Sequence, residues 1–385
     1  MEKKKLLEQI IKIEETINNN WEKENLTVSL MTGLGGILLF YAKLLEIFPE
    51  NEKYQKNINK IIDNLFFKLN SSQYNLFYCE GITGVSFVLY LLKKHPVFEK
   101  IETQSFHKDI DSLLYSHLKQ DVLEIEQADF LHGNLGIINY FINFNKYRLL
   151  EKSKKTIDLI EKYVSSIELT PDNSVLINFG LSHGLASYLM ILSKLFDFTQ
   201  NSYYKSLIEK ILNIYLYFEE LNSENCVFPN MLYNENDIRT KINLGWCYGD
   251  QTISYAIYRS SISIGDKLWI DKSIIYAEKW AERNTIEKAL LTPYDYMFCH
   301  GVASVAYLNK KWYNITDNVI FLNNYNFFLS KIDEHGYVGY KRFNEPIKDY
   351  DMCISLLDGI AGIGLLFIDD FLQHDNTIDK IFLLD

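Results

Sequence analysis

The sequence predicts an all-α fold in which about seven inner helices form a ring inside a ring of about seven outer helices. Three observations predict it: a glycine motif recurs seven times along the 385 residues, an apolar run follows each glycine, and an amphipathic run follows each apolar one. A helix that is apolar all round is buried, whereas an amphipathic helix keeps one face in solvent. Because a closed ring cannot be divided into independent parts, one domain is predicted over residues 1–385.

The glycine motif has the form X-Gly-x-x-small-aliphatic, and its lead glycines recur at intervals of 48 to 65 residues. One such match would be weak, but seven at similar spacing indicate an internal repeat. The lead glycines are Gly33, Gly81, Gly133, Gly184, Gly249, Gly301 and Gly359.

Each lead glycine is predicted to begin an inner helix. The runs 37–45, 85–92 and 363–368 are almost wholly apolar, whereas 54–69 and 203–218 place apolar residues at three- and four-residue steps. A glycine with a small residue three positions later lets the helix starts crowd together at one end of the ring. We call that end the mouth.

Two longer intervals predict connections at the mouth. Residues 222–244 are predicted to form a loop or short hairpin packed over it, and residues 333–353 another long connection. Long loops at the rim of a site often hold substrate.

The residue before each lead glycine is predicted to point toward the axis of the ring. All seven of these residues, the axial column, are polar or ionisable, which is typical of an active site above an apolar barrel. One position earlier, three of the chain's five cysteines share a register, namely Cys79, Cys247 and Cys299. The axial column is Thr32, Glu80, His132, His183, Tyr248, His300 and Asp358.

Two short strings indicate a metal site. Cys247 lies in Gly-Trp-Cys-Tyr-Gly, and one repeat later Cys299 and His300 precede Gly301. Two thiols and an imidazole suit a zinc ion with three protein ligands and an open fourth position. Neighbours in sequence do not share a helix face, so Cys299 and His300 must converge from a turn. One zinc ion per chain is predicted.

Composition limits the function. The net charge of −11 argues against a nucleic-acid partner, which needs clustered cations. No apolar stretch approaches the roughly 20 residues that span a bilayer, and no signal peptide is read at the start. We expect a cytoplasmic protein with reduced thiols, which the odd number of cysteines also favours.

These strings, within seven glycine repeats, resemble the lanthionine synthetase C family, the lanthipeptide (lantibiotic) cyclases. The resemblance spans Gly33 to Gly362. It implies an α/α toroid that binds one Zn²⁺ ion. It also implies addition of precursor-peptide cysteine thiols to dehydroalanine or dehydrobutyrine, which closes lanthionine and methyllanthionine thioether rings.

The resemblance also implies catalytic residues. His183 matches the family's Ser-His-Gly position, where an imidazole suits protonation of the enolate that thiol attack creates. Asp129 matches the family's aspartate in the third repeat and is expected to fix the tautomer of its imidazole partner. Tyr248 is placed to hydrogen-bond near the metal or the substrate.

The sequence departs from the family pattern at Asn243, where members often carry arginine. Arg239 and Lys241 are nearby cations that could replace it. Residues 250–252 stand where many members have a residue followed by Pro-Gly, which removes no ligand.

Some residues of the axial column and its neighbours have plain structural interpretations. Cys79 is expected to be a core residue. Glu80 and Asp358 could cap their helices, since acidic residues favour helix N-termini. His132 is expected to be structural or to lie just outside the site.

The resemblance implies a dehydrated precursor peptide, with leader and core, as substrate, and a separate dehydratase and ABC exporter as partners at the membrane. Two alternatives stay open. A zinc enzyme that adds glutathione or another small thiol predicts a small basic pocket. A non-catalytic docking scaffold with structural zinc predicts a saturated fourth zinc position and tolerance of His183→Ala.

Overall fold

The computed structural model describes residues 3–71, 73–98, 103–170, 174–224, 226–232, 243–290, 295–335, 353–373 and 376–385. Its seven inner helices all have a lead glycine as N-cap, as predicted. The inner helices are α2 (Leu34–Ile47), α4 (Ile82–Leu91), α6 (Asn134–Asn143), α8 (Leu185–Thr199), α10 (Asp250–Ile264), α13 (Val302–Thr316) and α15 (Ile360–Leu372).

Seven outer helices alternate with the inner ones, which confirms the predicted double ring. They are α1 (Lys3–Asn20), α3 (Glu52–Ser71), α5 (Gln104–Leu118), α7 (Lys154–Ser166), α9 (Ser202–Phe218), α11 (Lys267–Ala281) and α14 (Val319–His335). The remaining elements described are the short helices α12 (Ile286–Ala289) and α16 (Thr377–Ile381), four 3-10 turns, and the strands β1 (Ile177–Asn178) and β2 (Met231–Leu232).

The two kinds of helix bury different shares of their surface. α2 buries almost every side chain, whereas α3 buries one face, on which Ile58, Ile61 and Leu65 follow one another at helical spacing. Burial of one such aliphatic side chain contributes about 1.5–3 kcal/mol. The apolar pattern of each run therefore decides whether its helix belongs to the inner or the outer ring.

The helix starts crowd together as expected. A Cβ atom on Gly136, three residues after a lead glycine, would lie 2.5 Å from Cβ of Tyr78 in the preceding repeat. The small residue of the motif therefore leaves room for a neighbouring side chain.

Backbone hydrogen bonds join six of the seven pairs of neighbouring repeats, two residues before the lead glycines. One of them runs from the N–H of Leu357 to the carbonyl of Met31 and links the last repeat to the first. The six bonds run from Met31 to Cys79 (3.2 Å), Cys79 to Leu131 (2.9 Å), Ser182 to Cys247 (3.1 Å), Cys247 to Cys299 (3.0 Å), Cys299 to Leu357 (3.1 Å) and Leu357 to Met31 (2.9 Å).

Directly beneath these hydrogen bonds, the residue three before each lead glycine is large, apolar and fully buried. These seven side chains, which we call the floor, separate the polar mouth from the interior of the toroid. The floor consists of Leu30, Tyr78, Phe130, Leu181, Trp246, Phe298 and Leu356, each 0 % exposed.

The two predicted connections differ in part from the structure. In the described part of the first interval, β2 pairs antiparallel with β1 of the preceding repeat, Ile177 opposite Leu232, rather than with a strand of its own interval. Residues 233–242, with Arg239 and Lys241, lie outside the described residues. Residues 333–335 belong to α14, and 336–352 also lie outside them. In the described ranges, no helix has the length and apolar character needed to cross a membrane.

Candidate functional site

Three potential ligands meet in adjacent turns at the mouth. The ligand atoms of Cys247, Cys299 and His300 all lie within 4.8 Å of one another. Cys299 and His300 occupy a turn, as their adjacency required. The backbone bond from Cys247 to Cys299 holds the two thiol-bearing residues side by side, so their spacing is set by the ring itself.

The first glycine of the Gly-Trp-Cys-Tyr-Gly string has a steric role. A Cβ on Gly245 would lie 2.8 Å from Cα of His300, closer than such atoms approach in real proteins. Only glycine therefore lets the turn that carries Cys247 rest against the backbone of His300.

Asp295 orients the imidazole of His300. Its Oδ2 lies 2.9 Å from Nε2 of His300, while its Oδ1 accepts the N–H of Met297 at 3.1 Å. Asp295 is 1 % exposed. With Nε2 facing this carboxylate, Nδ1 is the nitrogen available to a metal, and a carboxylate behind a metal-binding histidine is a usual supporting contact.

The sequence analysis did not single out Asp295, although a signal for it exists. Asp295 stands six residues before its lead glycine, the same register as Asn243, and lead glycines pack against this register. Among the seven residues at that position it alone is acidic.

Hydrogen bonds within the cluster shift the pKa values of its three side chains. A hydrogen bond from the Cys299 thiol lowers the pKa of Cys247 to about 6 despite burial, and His300 adds to this effect. Burial opposes protonation of His300, but hydrogen bonds with Asp295 and Cys247 raise its pKa to about 11. The hydrogen bond with Cys247, together with burial, raises the pKa of Cys299. The pKa shifts of Cys247, Cys299 and His300 therefore arise largely from the hydrogen bonds that these side chains make with one another.

This donor set fits zinc. Two sulfurs and one imidazole nitrogen are the ligands of a Zn²⁺ site with a fourth position for substrate, and a buried carboxylate supports the imidazole. The fit depends on the close spacing of the three groups and on Asp295, and both are present.

Asp358 belongs to this cluster rather than to a helix cap. The N-cap of α15 is Gly359, and the carboxylate of Asp358 accepts a hydrogen bond from the Cys299 thiol. Burial raises the pKa of Asp358, while His300 opposes that rise. The interpretation of Asp358 as a cap was therefore incomplete.

Cys79, the third cysteine of the register, is a buried core residue, as expected. Burial, followed by the charge of Glu80, raises the pKa of its thiol. A thiol in that state is unreactive.

A second group at the mouth pairs a carboxylate with an imidazole. Nδ1 of His183 lies 2.6 Å from Oδ2 of Asp129, and Oδ1 of Asp129 accepts the N–H of His132 at 2.6 Å. Asp129 is therefore held at both oxygens and fixes the proton of His183 on Nδ1. Nε2 is left for chemistry, on a side chain that is 29 % exposed.

Two rings flank His183. The imidazole of His132 stacks on it with centroids 5.7 Å apart and planes 11° apart, and the ring of Tyr248 lies 5.9 Å away. Burial raises the pKa of Tyr248, while hydrogen bonds with Asn178 and Ser182 oppose the rise. Tyr248 directly follows Cys247, so it links the three-ligand cluster to the Asp129–His183 pair. The structure thus brings all six predicted site residues to one mouth.

Known proteins resemble this chain in sequence pattern and in fold. A family model described as lanthionine synthetase C-like protein matches residues 24–383. Among solved structures, nisin cyclase superposes with a TM-score of 0.76 at 19 % identity, covering 97 % of this chain and 96 % of that one. A polysaccharide lyase gives a TM-score of 0.46 at 12 % identity, covering 80 % and 94 %, and carries no argument. A search of curated proteins gave no match.

The solved structure establishes the fold, a toroid like that of nisin cyclase. The family match begins before the first repeat and ends after the last. The protein therefore belongs to the lanthionine synthetase C-like family.

Proposed function

We propose that the protein is a zinc-dependent lanthipeptide cyclase, which adds cysteine thiols of a dehydrated precursor peptide to dehydroalanine or dehydrobutyrine. The observation that carries the proposal is that two groups of side chains with complementary chemistry lie together at the mouth. One is the cluster of Cys247, Cys299 and His300, and the other is the Asp129–His183 pair. The first suits activation of a thiol, and the second suits transfer of a proton.

Zinc held by Cys247, Cys299 and Nδ1 of His300 would supply a Lewis acid that lowers the pKa of an incoming thiol. Asp295 keeps the imidazole of His300 turned toward that position. The half-buried carboxylate of Asp358, beside Cys299, would add negative charge to the cluster.

The Asp129–His183 pair completes the addition. The sulfur forms a bond to Cβ of the dehydro residue, and the electron pair of the double bond moves toward Cα and the carbonyl. Protonated His183 donates from Nε2 to Cα, while Asp129 stabilises the imidazolium through Nδ1. The proton released by the thiol replaces the one that His183 gives up, so the reaction needs no oxidant or reductant.

Tyr248 is proposed to orient the substrate between the three-residue cluster and the Asp129–His183 pair. The raised pKa of its phenol keeps it neutral near pH 7, so that it can donate a hydrogen bond. The proposed substrate, with leader and core, must be dehydrated before it arrives. A separate dehydratase and an ABC exporter are the proposed partners, in a cytoplasmic assembly at the membrane.

Elemental analysis of zinc in the wild type and in Cys299→Ala tests the metal site. About one zinc ion per chain, lost in the variant, is expected. A folded wild type without zinc would contradict the proposal.

Cyclisation is tested with a synthetic peptide that carries one dehydroalanine and one cysteine. Loss of free thiol by mass spectrometry after alkylation is the readout, and His183→Ala is expected to slow it while retaining zinc. Full zinc with no cyclisation by either protein would favour the scaffold alternative. Addition of glutathione in preference to ring closure would favour the small-thiol alternative.

A further inference from the structure

The residues that follow α15 return to the centre of the toroid beneath the floor. Ile381, Phe382, Leu383 and Leu384, which we call the axial plug, are at most 1 % exposed. Asp385 forms an ion pair with Lys194 of the inner helix α8. The axial plug is therefore surrounded by inner elements.

Side chains from different repeats fix the backbone of the axial plug. Its carbonyls accept hydrogen bonds from the Tyr78 hydroxyl (2.9 Å, at residue 381), from Trp246 Nε1 (2.7 Å, at residue 382) and from the Tyr255 hydroxyl (2.8 Å, at residue 384). Leu383 has φ of +54°, a left-handed conformation that a bulky residue adopts only when its surroundings impose it. The axial plug thus has one well-defined conformation.

Phe382 connects the axial plug to the metal cluster. Its ring stacks on Phe298 with centroids 4.0 Å apart and meets Trp246 edge-on at 5.2 Å. These two floor residues directly precede Cys299 and Cys247. One aromatic ring therefore supports both peptide segments that carry the thiols.

We propose that Phe382 is a positioning residue for the metal site. Cysteine has a short side chain, so the position of its sulfur follows its backbone, and a site must be held within about 0.5 Å to function. Removing the Phe382 ring would leave a cavity under Trp246 and Phe298, into which the floor can relax only partly. The inference rests on the proposed function, because it takes Cys247 and Cys299 as metal ligands.

Zinc affinity of Phe382→Ala and Phe382→Leu, measured by competition with a chromophoric chelator, tests the proposal. Phe382→Ala is expected to bind zinc about 10- to 100-fold more weakly, the usual effect of losing a supporting contact. Phe382→Leu keeps most of the apolar volume, so it remains informative if Phe382→Ala does not fold. Its loss of zinc affinity is expected to be smaller.

Phe321→Ala is the matched control. Phe321 is 0 % exposed, and its ring packs on Trp280 at 5.4 Å and on Trp312 at 6.1 Å, neither of which is a floor residue. It is expected to lower thermal stability comparably and to leave zinc affinity unchanged. An equal loss of affinity in this control would show that general destabilisation is the cause and would overturn the proposal.

A metal-free readout separates this inference from the proposed function. Phenylarsine oxide bridges two neighbouring thiols, so zinc-free wild type is expected to take up one equivalent through Cys247 and Cys299, and Cys299→Ala none. Phe382→Ala is expected to lose this uptake. If the wild type binds the arsenical but no zinc, and Phe382→Ala loses arsenical uptake, the proposed function is rejected while the role of Phe382 in positioning the two thiols is supported. Folded Phe382→Ala with unchanged zinc affinity and arsenical uptake would reject the positioning role.

Discussion

Replacement of Asp129 by asparagine is expected to slow thioether formation without removing zinc. Asp129 accepts two hydrogen bonds, one from the backbone N–H of His132 and one from His183 Nδ1, both at 2.6 Å. The side chain of asparagine has only one oxygen. If that oxygen stays with His132, the amide NH₂ faces His183, favours the wrong tautomer and repels the imidazolium.

The size of the effect follows from the bond that is lost. A hydrogen bond between a carboxylate and an imidazolium is worth about 1.5–3 kcal/mol, because one or both partners are charged. Since 1.36 kcal/mol corresponds to a tenfold change in rate, the loss predicts cyclisation about 10- to 150-fold slower.

The assay compares thiol disappearance in a dehydrated, cysteine-containing peptide under single-turnover conditions, with zinc content measured on the same samples. Asp121→Asn is the matched control, since this carboxylate pairs with Lys155 at the surface and its side chain is 81 % exposed. The reasoning fails if Asp129→Asn cyclises within about twofold of the wild type, well short of the tenfold lower bound. It also fails if the variant loses zinc, because Asp129 would then act through the metal cluster.

Three further outcomes are expected. Asp295→Asn should weaken zinc binding about 10- to 100-fold in chelator competition, because His300 loses its orienting carboxylate; unchanged affinity would refute that role. Gly245→Ala should also lower zinc content by elemental analysis, since its Cβ would lie 2.8 Å from Cα of His300. The pKa of His107 is lowered to about 3 by burial and by the nearby charge of Lys146. The unfolded chain therefore binds a proton that the folded chain does not, and stability is lost as pH falls below about 6.5. His107→Gln should lose less free energy of unfolding than the wild type between about pH 7 and pH 5 in urea titrations; an equal loss would refute this.

The inner ring and the clustering of Cys247, Cys299 and His300 were predictable because local and tertiary requirements coincide in the repeat. Gly136 is small for a tertiary reason, the proximity of Tyr78, yet it recurs in sequence as part of a motif. Cys299 and His300 could be proposed as ligands from sequence, because two adjacent residues can point at one metal only from a turn, and Gly301 follows them.

Features that depend on how distant segments meet were not predictable. Asp295 supports His300 only because of the direction in which that ring turns, and nothing in the local pattern fixes this direction. The axial plug reads as an ordinary apolar run, and its place beneath Trp246 is a matter of tertiary packing. β2 pairs with β1 because the connections that precede two neighbouring lead glycines lie side by side.

The recurring backbone hydrogen bond gives six of the seven pairs of neighbouring repeats the same local connection. The bond from Cys79 to Leu131 has the same direction and nearly the same length as the bond from Cys247 to Cys299, 2.9 Å against 3.0 Å. His132 then occupies the place of His300. The second and third repeats therefore lack a single sulfur of the donor set, and Leu131→Cys would supply it, with a second zinc ion in elemental analysis as the test. If zinc binds as proposed, its position depends on which two adjacent repeats carry the donors, and substitutions of this kind could create a site at another pair of repeats.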